Sequence, residues 1–242
     1  MEKKNIKGLI LILASDDCEL SIEHRKIYQK YMFLNQNFKF IFIYGKLFGK
    51  LNDINYDHDI IYDDIEESYP VRIYKTLRAF QDIIKEYKFD FLIRTNLSTF
   101  WNLDNLDKYL DTLPKINCYC GHALYVPPHF VNQNSIDYYP YLINYCSGTS
   151  IILSYDLILQ INNNNNKIKN IVEDVTIGDF LNKQSNISII HNEMCILDDL
   201  NTYENKINEK KIYYRVKTNE NRLQNDIFIY TKLLKIIYNI EF

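Results

Sequence analysis

"FLIRTNLSTFWNL", residues 91–103, decides how the rest of the chain is read. An apolar run stops at Arg94, the polar step Thr95-Asn96-Leu97-Ser98 follows, and Phe100, Trp101 and Leu103 return to apolar character. A short continuous apolar run bounded by polar residues is the pattern of a strand buried on both faces. Upstream, "YPVRIYKTLRAFQDIIKEYK" (69–88) carries Ile73, Leu77, Phe80, Ile83 and Ile84 at helical spacing, so a helix leads into this strand. In open α/β sheets ligands bind in the crevice beyond the carboxyl ends of the strands. Asn96, Leu97 and Ser98 therefore mark a candidate site.

The alternation extends in both directions. "GLILILAS" (8–15) reads as a first strand, "IEHRKIYQKYMFL" (22–34) as a helix, "FKFIFIYG" (38–45) as a second strand and "HDIIYDD" (58–64) as a short third. Downstream, "YVPPHFV" (125–131) is interrupted by Pro127 and Pro128, and "SGTSIILS" (147–154) is a strand opened by a small polar turn. "SYDLILQI" (154–161) starts a helix with Ser154 as its cap. "NNNNN" (162–166) is a low-complexity loop; a short helix in "VEDVTIGDFL" (172–181), a strand in "ISIIH" (187–191) and a closing amphipathic helix in "DIFIYTKLLKIIYNI" (226–240) complete the order. Strands alternating with amphipathic helices predict an α/β fold around a mostly parallel sheet. At 242 residues a single domain spanning 1–242 is the expectation.

Composition limits the function classes. Hydrophobic residues make up 47% and aromatics 14%, which rules out disordered and collagen-like chains. A net charge of −3 and a pI near 6.0 give no broad attraction to phosphate backbones or anionic lipid, so neither nucleic acid nor a membrane surface is an expected partner. No apolar run approaches the roughly 18–20 residues of a membrane span. The N-terminal "MEKKNIKGLILILASDD" resembles a secretory leader, but Asp16 and Asp17 close its short apolar run at once, and a buried strand is the better reading. Five cysteines without a regular framework suggest reduced thiols and a cytoplasmic setting. Cys118, Cys120 and His122 in "CYCGH" lack the spacing and the second ligand pair of a zinc site. Neither G-x-x-x-x-G-K-S/T nor G-x-G-x-x-G occurs, and "CSGTS" is not a G-x-S-x-G elbow. Kinase, dehydrogenase and serine-hydrolase readings drop accordingly.

Four segments in order resemble the β-1,3-galactosyltransferase and Fringe-type glycosyltransferases: "DIIYDDIEESYPVRIYKTL" (59–77), "FLIRTNLSTFWNL" (91–103), "YYPYLINYCSGTSIILSYDLI" (138–158) and "EDVTIGDFL" (173–181). They look like that family's D-I-I-x-x-D-F-x-D-S-Y with its later K-T-L, the acidic-tract strand, Y-P-x-Y-C-S-G followed by S-x-D, and E-D-V-x-x-G. Arg25 echoes the family's R-x-x-x-R-x-T-W helix, and the resemblance runs from about Lys7 to Cys195. It implies a GT-A fold, a Rossmann-like mixed sheet flanked by helices. A nucleotide-sugar half (about 1–103) would merge with an acceptor half (about 104–200), and a C-terminal tail and helix (201–242) would fold back. It implies an inverting transfer from a nucleotide-sugar donor, UDP by default, to a hydroxyl of a glycan or other acceptor.

The resemblance also gives the opening stretch its meaning. The family ends this strand in a D-x-D or D-D-D tract that holds Mn²⁺ or Mg²⁺ on the donor diphosphate, and here Asn96-Leu97-Ser98 stands in its place. Neutral oxygens do not make a tight divalent site, so no metal ligand is assigned and no required cofactor is expected, with Mn²⁺ or Mg²⁺ the alternative, although the leaving diphosphate still needs positive charge. Lys217, Arg215, Lys75, which matches the K-T-L lysine, and Arg94 are the candidates in that order, with Arg222 beside them. Ser15 and Asp16 follow the first strand where a base or ribose would lie, and Ser147 and Gly148 open the acceptor-side turn. Asp174, with Glu173 beside it, occupies the family's base position, although acidic residues there also suit a helix N-terminus. His191 stands where some members place a late metal-binding histidine and is read as a satisfied strand-end residue; Trp101 and Tyr145 offer sugar-stacking faces or core packing. The animal relatives carry an N-terminal membrane anchor. The composition bias instead suggests a cytoplasmic enzyme of a microbe or large DNA virus, in the latter case in the host cytoplasm. Two rivals stay open: a GT-A relative that binds glycan or nucleotide without turnover, and a sugar-nucleotide-forming nucleotidyltransferase, which "ASDDCELS" (14–21) disfavours by its acidity.

Overall fold

The computed structural model describes residues 4–67, 72–128, 141–168, 172–184 and 187–241. Residues 68–71 of the first motif and 138–140 of the third lie outside the described residues. In chain order the elements are β1 (Lys4–Leu13), α1 (Glu19–Tyr31), β2 (Phe38–Tyr44), β3 (Asp59–Ile61), α2 (Arg72–Glu86) and β4 (Tyr87–Asn96). Next come β5 (Thr99–Trp101), α3 (Leu103–Leu110), β6 (Tyr119–Val126), β7 (Ile143–Ser154), α4 (Tyr155–Asn163) and α5 (Glu173–Asn182). The chain ends with β8 (Ile189–His191), β9 (Cys195–Leu197), α6 (Tyr203–Lys206), β10 (Tyr213–Val216) and α7 (Arg222–Tyr238).

β1 shows why these residues make a central strand. Leu9 and Leu11 enter one apolar layer while Ile10 and Ile12 enter the other, and all four are fully buried. Alternation on a period of two puts successive side chains on opposite faces, and each such side chain contributes roughly 1.5–3 kcal/mol by leaving water. One layer lies under α1, α3 and α7 and is rich in aromatics, among them Tyr28, Tyr31, Phe40, Phe42, Phe100 and Trp101. The opposite layer is closed by α2, α4 and α5 through Ile73, Leu77, Phe80, Leu157, Ile161, Ile177 and Leu181.

The main sheet has seven strands in the order β3-β2-β1-β4-β7-β6-β8. β3, β2, β1 and β4 run parallel, then β7 enters antiparallel between β4 and β6. The sheet is thus mixed, whereas the apolar runs alone suggested a mostly parallel one. Because β7 is reversed, its first half passes the carboxyl end of β4: Thr95 pairs with Ser150, and Ser147 and Gly148 lie just beyond. The polar turn expected to open a strand at Ser147 is instead interior to β7, which starts at Ile143 because β6 pairs with it as far as Val126. Ser154 does stand at the N-cap position of α4, but its hydroxyl accepts the Cys118 backbone N–H at 2.9 Å rather than capping the helix.

A small second sheet, β5-β10-β9, was not evident from the sequence. Its antiparallel pairing of Arg215 with Thr99 brings the C-terminal part of the chain against the turn after β4. Among the described residues, no helix is long and apolar enough to cross a membrane.

Candidate functional site

The turn from β4 to β5 is pinned by its own carbonyls. Those of Asn96 and Leu97 accept the hydroxyls of Tyr28 and Tyr230 at 3.1 and 3.0 Å, and that of Ser98 accepts the Val216 N–H at 2.9 Å. Leu97 packs into the aromatic core, leaving Asn96 and Ser98 at the mouth of a cavity of about 330 Å³. Ala14 and Ser15 after β1, the Cys18–Ser21–His24 side of α1, and Arg215, Lys217 and Arg222 line the same cavity.

Its cations differ in what they already hold. Lys75 is buried in the wall, donating to the Ala14 carbonyl at 2.9 Å and ion-paired with Glu67. Arg222 donates to Asp226 from Nε and Nη2 at 3.1 and 2.8 Å. Arg215 is half-buried and, among the described residues, has no hydrogen bond or ion pair; the Lys217 ammonium is exposed and likewise has none. Burial first and Arg222 second draw the Arg215 pKa down from its ordinary value, with Asp174 opposing them. A guanidinium held half out of water without a partner is a group waiting for an anion.

Arg94 does not line this cavity. Its Nε donates to Glu173 Oε1 at 2.9 Å, its Nη2 to Glu173 Oε2, and its Nη1 to the Gly148 carbonyl and, at 3.1 Å, to Asn96 Oδ1. Glu173 accepts Thr76 Oγ1 at 2.7 Å as well, so both of its oxygens are engaged in a buried network. Arg94 is therefore corrected from a donor-binding cation to the buried partner of Glu173, and Glu173 from a catalytic candidate to that pair's carboxylate. Asp174, half-buried in the first turn of α5, accepts the Gly148 N–H on Oδ2 at 2.8 Å and the Val175 N–H on Oδ1 at 3.0 Å. Two motif glycines make this corner possible. A Cβ on Gly148 would sit 2.5 Å from Arg94 Nη1, and one on Gly178 would sit 2.7 Å from the Asn144 carbonyl and closer still to Tyr145, so α5 reaches β7 only without side chains there.

Asp16 is also corrected. It is fully buried and accepts the backbone N–H groups of Phe48, Lys50 and Leu51 at 2.9, 2.8 and 3.3 Å, so it shapes the loop after β2 instead of facing a ribose. Asp17 takes its place at the cavity. Burial works against its charge, but hydrogen bonds with Ser15, Cys18 and Ser21 hold its carboxyl below the ordinary carboxylate range.

The galactosyltransferase family model matches residues 29–193. The chain belongs to the galactosyltransferase family. Among solved structures it is similar to a glycosyltransferase involved in the glycosylation of the major capsid of PBCV-1, at 11% identity and a TM-score of 0.50, over 93% of this chain and 98% of that one. A likeness at this identity speaks for the fold, which is GT-A. 4-Diphosphocytidyl-2C-methyl-D-erythritol synthase is also similar, at 8% identity and a TM-score of 0.39 over 80% of this chain and 90% of that one, too loosely to carry an argument. No curated protein matches the sequence. As a member of the galactosyltransferase family the chain is a glycosyltransferase, with a sugar donor and an acceptor as substrates.

The family's divalent cation does not fit the residues present. Asn96 Oδ1 already receives Arg94, Leu97 belongs to the core, and Ser98 offers only neutral oxygens, whereas a hard cation is held chiefly by carboxylates. Among the described residues, no group of three or more His, Cys, Asp and Glu side chains is placed to hold a metal. His191 is exposed and its Nδ1 accepts the Ala123 N–H at 3.2 Å, a satisfied strand-end histidine. The "CYCGH" cysteines are buried, which pushes the Cys118 thiol up to about 12 and the Cys120 thiol up to about 11, far from the thiolate form a metal needs.

Of the other sequence candidates, Ser15, Lys75, Asn96, Ser98, Arg215, Lys217 and Arg222 share the cavity, while Ser147, Gly148 and Asp174 are not among the residues that line it, Gly148 donating its N–H to Asp174. Trp101 is fully buried against Tyr213 at 5.1 Å between ring centroids and cannot stack on a sugar. Tyr145 packs on Ile143 and Val175. The family's other motif residues are structural too: Arg25 donates to Asp59 at 2.8 Å, to the Tyr44 hydroxyl at 3.0 Å and to the Asp53 carbonyl at 2.9 Å, tying α1 to β3. Sequence reasoning missed Asp17 and His24. His24 could have been noticed on the face of α1 that also carries Tyr28 and Tyr31.

Proposed function

We propose that this chain is an inverting glycosyltransferase that takes a UDP-sugar and works without a divalent cation. The observation that carries the reading is Arg215: a half-buried guanidinium without a bond to any described residue, facing a cavity at the carboxyl ends of β1 and β4. Arg215, Lys217 and Arg222 supply the charge that the departing diphosphate requires, and Arg pairs with phosphate in a fixed two-pronged geometry. Ser15, Asp17, Asn96 and Ser98 line the same cavity and, in this reading, take the hydroxyls of ribose and sugar.

The acceptor hydroxyl attacks the anomeric carbon from the face opposite the diphosphate. Its proton passes to Asp174, the new glycosidic C–O bond forms, and the old C–O bond breaks with its electron pair going to the β-phosphate oxygen of UDP. Asp174 suits this role because, among the described residues, its two oxygens accept only backbone N–H groups and keep lone pairs for the acceptor, whereas Glu173 is neutralised by Arg94. The test is UDP release from a panel of UDP-hexoses, UDP-galactose and UDP-glucose included, in EDTA, with the anomeric configuration of the product read by NMR. Inverted product, with turnover about 10²-fold or more lower in Asp174→Asn, is the expected result. Tight UDP binding with neither transfer nor hydrolysis for any donor would make the chain a binding module instead.

A further inference from the structure

Arg94 and Asn96 stand two residues apart on β4, so their side chains leave the same face of the sheet. Leu92, on that face, belongs to the layer closed by α2, α4 and α5, whereas Leu97 turns into the aromatic layer on the other side. Arg94 Nη1 donates to Asn96 Oδ1 at 3.1 Å and to the Gly148 carbonyl, while Nε and Nη2 hold Glu173. A guanidinium carries donors and no acceptor, so this contact decides which way round the Asn96 amide lies. Its oxygen is turned to Arg94 and its NH₂ away from it. Asn96 is half-buried and lines the donor cavity; its Nδ2 has no hydrogen bond to any described residue and is not closed off from solvent. Fixed from behind by a buried arginine, the amide is a pre-oriented donor at the cavity mouth.

What that donor meets follows from its place between two groups. Arg215, Lys217 and Arg222 enter the cavity from β10 and α7, which pack on the aromatic layer. Asp174 lies outside the lining but is linked to Asn96 through two residues: the Gly148 whose carbonyl Arg94 holds gives its N–H to Asp174 Oδ2. The two sides are near enough for Asp174 to support the charge of Arg215. In an inverting displacement the leaving diphosphate, the anomeric carbon, the attacking hydroxyl and the base stand in that order. With the diphosphate at the cations and the base at Asp174, the sugar ring comes to the Asn96 amide. A neutral NH₂ takes an acceptor oxygen, and on a hexose those are hydroxyls.

Resting on the donor-pocket reading, we propose that Asn96 is a sugar-recognising residue whose Nδ2–H donates to a hydroxyl oxygen of the transferred hexose. A site built to bond one substrate hydroxyl rejects the analogue that lacks it, so the contact sets donor specificity. A carboxylate at this position would accept from Arg94 equally well but would offer the sugar no donor. No bond is made or broken at Asn96.

The experiment is calorimetry in EDTA on the intact wild-type protein and on Asn96→Ala, with UDP, UDP-galactose, UDP-glucose and the monodeoxy forms of whichever hexose donor binds more tightly. Asn96→Ala weakens binding of that UDP-hexose about ten-fold and leaves UDP binding unchanged. The loss disappears for the one deoxy donor that lacks the contacted hydroxyl, a coupling that a packing role does not give. In wild-type protein the ¹⁵N resonance of Asn96 Nδ2 differs between the UDP and UDP-hexose complexes, which reads the contact without a substitution. Unchanged UDP-hexose affinity in folded Asn96→Ala protein, an equal loss for UDP and UDP-hexose, or an Nδ2 resonance identical in the two complexes overturns the assignment while leaving the donor pocket standing. Wild-type protein that binds neither UDP nor a UDP-hexose overturns both.

Discussion

Glu173 and Asp174 are adjacent in sequence and, on the proposed reading, do different work. The sequence marks the acidic pair but not its division of labour, because the partner that neutralises Glu173, Arg94, lies 79 residues away. Removing one member of a buried pair strands the other charge, at about 3–5 kcal/mol. Glu173→Ala is therefore expected to lower the unfolding free energy by that order in a denaturant titration, while Asp174→Asn, which keeps acceptor oxygen beside Gly148, leaves the midpoint nearly unchanged and removes turnover. The reverse pattern would exchange the two roles. His24 gives a second residue-scale expectation. Its pKa falls from 6.5 in the unfolded chain to about 3 in the fold, so between those values the unfolded chain binds more protons. Its contribution is fully present above pH 6.5 and is lost as pH falls toward 3, at up to about 1.4 kcal/mol per unit. In His24→Leu the dependence of unfolding free energy on pH over that window flattens.

At the scale of elements, the decisive piece is β10. Four residues long and apolar at three positions, it carries no periodicity that separates it from a loop, and it forms because β5 and β9 flank it. β5, β9 and β10 were illegible for that reason, and so was α3, whose start depends on Asn102 accepting the Asn105 N–H at 3.2 Å. β1, β2 and β4 were legible because burial on both faces leaves continuous apolar runs. Pairing of β10 with β5 puts Arg215 opposite Thr99, next to the neutral turn that replaces the acidic tract. If strand pairing delivers the diphosphate's counter-charge, Arg215→Ala weakens UDP binding about ten-fold or more without changing uridine binding. Equal loss for both ligands would place Arg215 at the nucleoside instead.

The whole molecule explains why both halves of the site were partly readable. Reversal of β7 inside an otherwise parallel arrangement carries Ser147 and Gly148 past the end of β4, and the absence of side chains at Gly148 and Gly178 lets α5 bring Asp174 to the same corner. The motifs exposed these residues; the strand directions that join them depend on pairings far apart in sequence. Asp16 and Arg94 were misassigned because proximity to a strand end does not reveal which way a side chain turns. On the proposed reading a set of fixed cations stands in for a metal, and a calorimetric titration of the intact protein with UDP, in excess EDTA and again with excess Mn²⁺, tests this most directly. Binding in EDTA with the same dissociation constant as in Mn²⁺ is the expected result. Binding that appears only with Mn²⁺ would contradict it and return the diphosphate to a cation held at Asn96, Ser98 or Asp17.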